Sequence, residues 1–289
     1  MPQSVPQPMH SLTPLALHQT ATAWRQTGVR AIVVTVIDIK GSTPRGLGTR
    51  MLVSEQGLHG TVGGGHLEWQ AIDLARHALA ESLNALPAAW DKTFPLGPTL
   101  GQCCGGVVTL RFAPLDEAEL AAWPAPTPRL HVELHGAGHV GQAIVRLLAD
   151  LDCTVRWIDT RDDVNALPGL PSAHMLTTLP PHIAWLPSDC PEAEVADAPL
   201  GACHLVLTHR HDLDLRIIEA VLRRGDAAMA GLIGSQTKRA RFLHRLAEKG
   251  LSAEQLSHLI CPIGLPGIDG KEPAMIAIAT VAQLLQQQP

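Results

Sequence analysis

Aromatic residues are scarce in this 289-residue sequence, which holds three Phe, six Trp and no Tyr. The hydrophobic core must therefore be built mainly from Ala, Leu, Val and Ile. Aromatic platforms on which single-stranded nucleic acid stacks are correspondingly few. The absence of Tyr also excludes the Tyr-dependent chemistry of short-chain-type dehydrogenases.

Charge of either sign is also limited, with 22 Lys and Arg against 27 Asp and Glu and a formal net charge of -5. This balance argues against a broad nucleic-acid surface. Hydrophobic residues make up 46% of the chain, which is enough for a sizeable core and excludes wholesale disorder. No apolar run is long enough to span a bilayer, and Met1–His10 does not resemble a secretory signal. We therefore expect a cytoplasmic protein without membrane contact.

Six cysteines are too few for a disulfide scaffold, so free thiols in a reducing compartment are expected. Cys103 and Cys104 are adjacent and flanked by glycines, a pattern that indicates an exposed loop rather than core packing. The pair is a candidate soft-metal ligand, sulfur carrier or redox pair. Zinc is disfavoured because the usual two-residue spacing is missing. Three other cysteines are predicted core thiols, namely Cys153, Cys203 and Cys261.

The order of predicted elements indicates two α/β domains. A Pro-rich tail (1–14) precedes an N-terminal domain (15–123), a proline-rich linker (124–129) and a C-terminal domain (130–289). In the C-terminal domain we predict strands at 130–135, 154–159, 204–208 and 227–233, and helices at 139–151, 214–224, 236–249 and 272–286. This alternation is typical of a Rossmann-like parallel sheet with right-handed crossovers.

A glycine-rich turn follows the first strand of the C-terminal domain. Gly136, Gly138 and Gly141 form a G-x-G-x-x-G pattern that opens a helix, and Asp159 ends the next strand, where its carboxylate is expected to accept hydrogen bonds from a ribose diol. The pattern predicts binding of NAD(P), another nucleotide or a phosphate at the helix N-terminus. An alternative function is therefore an NAD(P)-dependent oxidoreductase, with His209 as a possible acid or base.

A second strand–glycine–helix junction lies in the N-terminal domain. Gly63, Gly64 and Gly65 open a helix and are able to bind an anion, although they also suit a plain tight turn. Ser42 and Arg45 lie in another turn-rich loop that could face the same place.

A third strand-to-helix turn carries Ser235, Lys238 and Arg239. Ser235 is a good N-cap, but cations in the first turn oppose the helix dipole unless an anion is near. The segment is therefore either a phosphate or acidic-partner site or a solvated basic face. The neighbouring segment His209–Asp212 suggests metal binding only weakly, because no third ligand is identifiable.

Taken together, these motifs resemble the XdhC/CoxI family of accessory proteins for molybdenum hydroxylases. The resemblance covers about residues 15–285. The segments that carry it are Gly41–Arg45, Gly60–Glu68, Leu100–Gly106, His135–Gly141, Thr208–Asp214, Gly231–Phe242, Pro262–Leu265 and Glu272–Ile278. The sequence departs from the family at Met275, Ala277 and Ile278, where the last helix is more apolar and lacks a carboxylate.

The resemblance implies a chaperone rather than a turnover enzyme. It implies that the protein binds molybdenum cofactor (molybdopterin), protects it while a cysteine desulfurase-type donor installs the terminal sulfur, and inserts it into apo xanthine dehydrogenase. Cys103 or Cys104 would be a temporary molybdenum ligand, since a thiolate suits a soft metal. Arg45 and the Gly63–Gly65 loop would meet the pterin phosphate. We also expect the chain to assemble as a homo-oligomer.

Overall fold

A computed structural model describes residues 13–82, 87–96, 105–124, 127–161 and 169–287 of the chain. The described residues form two compact units, one within His10–Thr127 and the other within Pro128–Pro289. The division falls inside segment 124–129. Among the described helices, none is long and apolar enough to cross a membrane.

The N-terminal unit is built on an antiparallel sheet. Its elements are α1 (Pro14–Gln26), β1 (Ala31–Lys40), β2 (Arg50–Ser54), β3 (Leu58–Gly60), α2 (Gly65–Glu81), β4 (Trp90–Pro95), β5 (Val107–Pro114) and α3 (Glu117–Ala121). The strand order is β3-β2-β1-β5-β4, and every neighbouring pair is antiparallel.

Helices cover both faces of this sheet because alternate residues of β1 are apolar on each side. Ile32 and Val34 lie in a core with α2, whereas Ala31 and Val33 lie in a second core with α1. The buried side of α2 carries Leu67, Ala71, Ala75 and Leu79. This four-residue spacing places them on one helix face, and the small alanines allow the helix to lie close to the sheet.

The C-terminal unit is built on a parallel sheet. Its elements are β6 (Leu130–His135), α4 (His139–Leu148), β7 (Cys153–Asp159), α5 (Ala173–Thr177), β8 (Ile183–Pro187), a 3-10 helix (Glu194–Asp197), β9 (Cys203–Val206), α6 (His211–Arg224), β10 (Met229–Leu232), α7 (Gln236–Glu248), α8 (Ala253–Ser257), β11 (Leu259–Ile260) and α9 (Pro273–Leu285). The strand order is β11-β10-β9-β6-β7-β8, with every pair parallel.

This sheet confirms the predicted Rossmann-like fold. Helices α4 and α9 contribute to the core on one face, and α6 and α7 contribute to the core on the other. The strand order reverses between β6 and β9, because the chain first runs outward through β7 and β8 and then returns. Open α/β sheets bind ligands at the carboxyl ends of the strands at such a reversal.

Candidate functional site

Three loops of the N-terminal unit pack against each other. A Cβ atom on Gly63 would lie 2.4 Å from Pro44 Cγ, so only glycine fits there. A Cβ atom on Gly106 would lie 2.3 Å from the carbonyl oxygen of Ser42, and one on Gly41 would lie 3.3 Å from Gly106 Cα. The structure thus brings together the loop after β1, the glycine loop before α2, and the residues that follow the paired cysteines.

Arg45 supplies an available positive charge in this loop cluster. Its side chain is exposed, and within the described part of the chain it makes no hydrogen bond or ion pair. The Thr43 hydroxyl donates to the carbonyl oxygen of Arg45 at 3.1 Å and so supports the turn that presents it. Ser42 is exposed in the same turn. The two side chains are therefore free to meet an anion.

The glycine loop before α2 already contains a carboxylate. Glu68 Oε2 accepts hydrogen bonds from the Thr61 hydroxyl, from the N–H of Val62 at 3.2 Å and from the N–H of Gly64 at 3.1 Å. The N–H of Gly63 donates to Thr61 Oγ1 at 3.1 Å. These backbone donors are satisfied internally, so in this conformation they are not available to a phosphate. Anion binding by Gly63, Gly64 and Gly65 stays a prediction.

Cys103 and Cys104 lie outside the described residues, and their assignment as metal ligands stays a prediction. The two ends of their segment are described. The N–H of Leu96 donates to the carbonyl oxygen of Gly106 at 2.8 Å, directly beyond the last paired residues of β4 and β5. The sheet therefore holds both ends of the cysteine segment beside the Gly41–Arg45 loop.

In the C-terminal unit, the three glycines of the G-x-G-x-x-G turn have distinct roles. Gly136 adopts φ +124°, and its carbonyl oxygen accepts from the buried Trp157 indole at 3.1 Å. A Cβ on Gly141 would lie 2.2 Å from that same oxygen, so helix α4 packs directly on the turn. Among the described residues, a Cβ on Gly138 would meet no atom within 4 Å. Gly138 is thus the position where a ligand has room to approach the backbone.

Asp159, predicted to bind a ribose, is already saturated with donors. Oδ1 accepts from the N–H and Nε of Arg161 at 3.0 and 2.8 Å. Oδ2 accepts from the N–H of Ala137 at 2.7 Å and from Arg161 Nη2 at 2.8 Å. Burial alone would raise the pKa of Asp159, but these hydrogen bonds outweigh it and hold the pKa below its ordinary value. A ribose hydroxyl would have to displace Arg161, which disfavours the oxidoreductase alternative.

In the basic turn before α7, some side chains already have hydrogen-bond or ion-pair partners and one does not. Ser235 Oγ caps the helix by accepting from the N–H of Lys238 at 3.2 Å. Lys238 Nζ lies 2.7 Å from a carboxylate oxygen of Asp214, which is fully buried, and donates to the Ile233 carbonyl oxygen at 2.8 Å. Arg239 alone among the three predicted residues has no side-chain partner in the described ranges. It is the group most available to an anion.

The histidines after β9 have cationic surroundings. Asp212 accepts from Arg210 and forms an ion pair with Arg216, while His211 Nδ1 lies 3.1 Å from Arg241 Nη2. Over the ranges that the structure covers, no group of three His, Cys, Asp or Glu side chains is placed to hold a metal ion. The arginines beside His211 and Asp212 would repel a divalent cation, so the geometry does not favour a metal site in the segment His209–Asp212.

The cysteines of the C-terminal unit are described. Cys153, Cys203 and Cys261 are buried free thiols, as predicted, and Cys190 is exposed. Burial raises the pKa of Cys153 to about 12 and that of Cys203 to about 11. These two thiols are therefore protonated at neutral pH and poor soft-metal ligands.

Three further residues shape these turns in ways that the sequence did not predict, namely Glu68, Trp157 and Asp214. Glu68 and Asp214 each lie in the first turn of a helix that follows a strand–loop junction. An acidic residue at that position is a recognisable signal, because it can accept from the N–H groups of the preceding loop. Trp157 gives no such signal, since its contact with Gly136 joins two different strand ends.

Comparison with known proteins agrees with this architecture. The family model described as the XdhC Rossmann domain matches residues 132–284, and the model described as the XdhC and CoxI family matches residues 24–86. The protein called YqeB of Escherichia coli K12 is 28% identical over 258 residues, which cover 87% of this chain but only 42% of that relative.

A solved structure supports the fold. A protein described as a xanthine dehydrogenase from Bacillus halodurans superposes with a TM-score of 0.69 at 18% identity, over 95% of each chain. At this identity the likeness concerns the fold alone. The two family matches extend over both units, and the Rossmann-domain match alone covers more than half of the sequence. This chain therefore belongs to the XdhC and CoxI family.

Proposed function

We propose that this chain is a maturation factor for a molybdenum hydroxylase such as xanthine dehydrogenase. In this proposal it binds molybdenum cofactor, shields it while a cysteine desulfurase-type partner adds the terminal sulfur, and transfers it to the apoenzyme. Membership of the XdhC and CoxI family supports a role in maturation. The loop cluster of the N-terminal unit supports the binding step.

The observation that carries the proposal is the convergence of the Gly41–Arg45 loop, the glycine loop and Gly106 in one place. The cofactor's pterin ends in a phosphate, which needs a cation and hydrogen-bond donors. Arg45 and Ser42 are exposed side chains of this kind, and Arg45 has no partner elsewhere in the described residues. The residues present thus fit the phosphate end of the cofactor.

The other end of the cofactor carries molybdenum, which is a soft metal when a dithiolene ligates it. When the cofactor is bound to the protein, molybdenum supplies the atom that accepts the terminal sulfur. Cys103 and Cys104 would hold this end by a thiolate. The Leu96–Gly106 hydrogen bond holds the described end of their segment, where Gly106 packs against the backbone of Gly41 and Ser42. The buried thiols of the C-terminal unit do not offer a comparable ligand.

The proposal is tested by purifying the full chain from cells that make molybdenum cofactor. The bound pterin is then oxidised and measured by fluorescence. We expect near-stoichiometric pterin in the wild type and at least an approximately tenfold loss in the Cys103→Ala/Cys104→Ala double variant, since a metal–thiolate bond is lost. The matched control is Cys190→Ala, which removes an exposed free thiol in the other unit.

The outcomes separate clearly. Pterin absent from the wild-type protein would contradict the proposed function. Pterin content and transfer to apo xanthine dehydrogenase that are equal in the double variant and in Cys190→Ala would contradict the role of the paired cysteines.

A further inference from the structure

A cavity of about 550 Å³ lies in the C-terminal unit beside the start of α7. Its wall is formed by β11 and the following segment as far as Gly270, with Ile276 and Ala279 of α9 on another side. Gln236 and Arg239 of α7 complete it. The volume falls within the range of small-molecule sites. None of these residues belongs to the loop cluster of the N-terminal unit.

The wall is held in place by hydrogen bonds that its main-chain N–H groups donate. The N–H of Gly264 donates to Gln283 Oε1 at 2.8 Å, and the N–H of Leu265 donates to the carbonyl oxygen of Ala279 at 3.0 Å. Both bonds tie the segment after β11 to helix α9. The cavity is therefore built into the fold, which lowers the entropic cost of binding a ligand there.

The lining contains one cation that the protein does not neutralise. Arg239 has no ion pair or hydrogen bond to its side chain within the described residues, whereas Asp214 neutralises its neighbour Lys238. Asp269 also lines the cavity but lies beyond ion-pair distance of Arg239. A cation in the first turns of a helix opposes the helix dipole, so an anion in the cavity would relieve an unfavourable arrangement.

The rest of the lining suits a flat organic body. Ile260, Leu265, Ile268 and Ile276 offer apolar surface, and the glycine- and proline-rich segment exposes peptide groups. Apolar walls accept the faces of a planar ring, while peptide groups can hydrogen-bond to its edge. The cavity thus combines one cationic end with a ring-accepting interior.

We propose that this cavity binds a nucleoside monophosphate. Arg239 binds the phosphate through its guanidinium. Gln236, the first residue of α7, also lines the cavity, so the positive end of the helix dipole lies on the same side. The apolar walls receive the ring. This inference does not rest on the proposed function, because it concerns a different unit and needs neither molybdenum nor the paired cysteines.

The test is isothermal titration of the full chain with AMP and GMP, each beside its nucleoside. We expect at least one nucleotide to bind about tenfold or more tightly than its nucleoside, because only the nucleotide carries the phosphate. Arg239→Gln should remove most of this difference and leave nucleoside binding unchanged. The matched control is Arg245→Gln, which removes an exposed charge near the other end of α7 and should bind as the wild type does.

A second variant tests the cavity itself. Ile276→Trp places a larger side chain into the lining and should weaken nucleotide and nucleoside alike. The proposal is overturned if neither nucleotide binds at millimolar concentration, if Arg239→Gln binds as tightly as the wild type, or if Arg245→Gln loses as much affinity. A protein that binds nucleotides but carries no pterin would sustain this inference while contradicting the proposed function.

Discussion

Glu68, Asp159 and Asp214 each place a carboxylate against backbone N–H groups at a strand–helix junction. Glu68 accepts from Val62 and Gly64, and Asp159 accepts from the glycine turn before α4. Asp214 accepts from the N–H of Thr208 at 3.0 Å. In each case the protein supplies the anion that such a turn favours. Turns of this kind are then rigid supports for a site, and the free side chains beside them, such as Arg45 and Arg239, are the groups that we propose bind a ligand.

Replacing Glu68 should therefore destabilise the protein. Glu68→Ala leaves the N–H groups of Val62 and Gly64 and the Thr61 hydroxyl without their acceptor, and we expect a loss of about 1–3 kcal/mol in the free energy of unfolding. Urea denaturation measures this loss. Glu81→Ala, at the exposed end of the same helix, is the control and should change stability by less than about 0.5 kcal/mol. Equal effects of the two substitutions would contradict the structural role of Glu68.

Another buried carboxylate lies on β6, on the face of the sheet opposite Leu134. Glu133 is 1% exposed, and its Oε2 lies 3.3 Å from Arg156 Nη1. Burial raises the pKa of Glu133 to about 7, and the attraction of Arg156 only partly offsets this effect. The paired residue on β9, His204, has a pKa lowered to about 4, chiefly by burial. Burial thus favours the neutral form of both side chains.

Glu133 should make stability fall as the pH rises. Between pH 4.5 and 7 the folded chain keeps a proton on Glu133 that the unfolded chain has released, so the free energy of unfolding decreases across this window. Glu133→Gln lacks this dependence. We expect the stability of the variant relative to the wild type to increase by about 1–3 kcal/mol from pH 5 to pH 8. Chemical denaturation at both pH values measures the difference.

His204 contributes to the pH dependence of stability in the opposite direction. Because the variant and the wild type both retain His204, this contribution cancels when the two proteins are compared. That contribution raises stability between pH 4 and 6.5, because the unfolded chain binds a proton that the folded chain lacks. Glu254→Gln serves as an exposed control in the same unit. A constant difference between Glu133→Gln and the wild type across the pH range would rule out a buried, titrating Glu133.

At the scale of elements, the turn before α4 offers a pair of matched glycines. Gly141→Ala places a methyl group 2.2 Å from the Gly136 carbonyl oxygen, and either the helix or the turn must move. The added methyl group of Gly138→Ala meets no atom of the described residues within 4 Å, and Gly138 has an ordinary negative φ of -70°. We expect Gly141→Ala to cost about 2–3 kcal/mol or more and Gly138→Ala to be nearly neutral, as measured by thermal unfolding. The reverse order would show that α4 does not pack on this turn.

Long, strongly patterned elements were predictable from the sequence. The predicted strand at 130–135 matches β6, and the predicted helix at 236–249 matches α7 within one residue. Strand β8 was not predicted because it lies at the edge of the sheet, is only partly buried and ends in Pro187. Strand β11 has two residues and exists through its pairing with β10, which no local pattern reveals.

The candidate site was predictable to a similar extent. The turns that carry Arg45 and Gly63 were both recognised, because glycine and serine clusters mark strand ends. Their mutual contact depends on the pairing of β1 with β2 and β5, which are distant along the chain. The ion pair between Lys238 and Asp214 could not be predicted from the sequence, since the two residues approach only when α6 and α7 pack together.

At the scale of the whole molecule, the hydrophobic cores divide between the two units. The two cores of the N-terminal unit draw on residues up to Trp123, and those of the C-terminal unit begin at Leu130. Each unit thus has a core of its own, which is the requirement for independent folding.

We therefore expect the fragment 128–289 to fold alone. It should show one cooperative urea transition with a free energy of unfolding of about 5–10 kcal/mol. The reason is that strands β6 to β11, with all their pairings, and both cores of that unit lie within the fragment. Circular dichroism during denaturation measures the transition. The variant Leu134→Asp, which buries a charge in the core of the fragment, should abolish it. A fragment without any cooperative transition would show that the unit needs the rest of the chain.

The hydrogen bond between Leu96 and Gly106 has a consequence for how the protein can change. It joins the two described ends of the cysteine segment, and every strand pairing of the sheet lies outside that segment. Lengthening a closed loop costs little free energy, on the order of 0.6 kcal/mol for each doubling. Changes of length or sequence between Leu96 and Gly106 should therefore leave the strand pairing of the sheet unaltered. Related chains are then free to vary in that stretch while they keep the same strands.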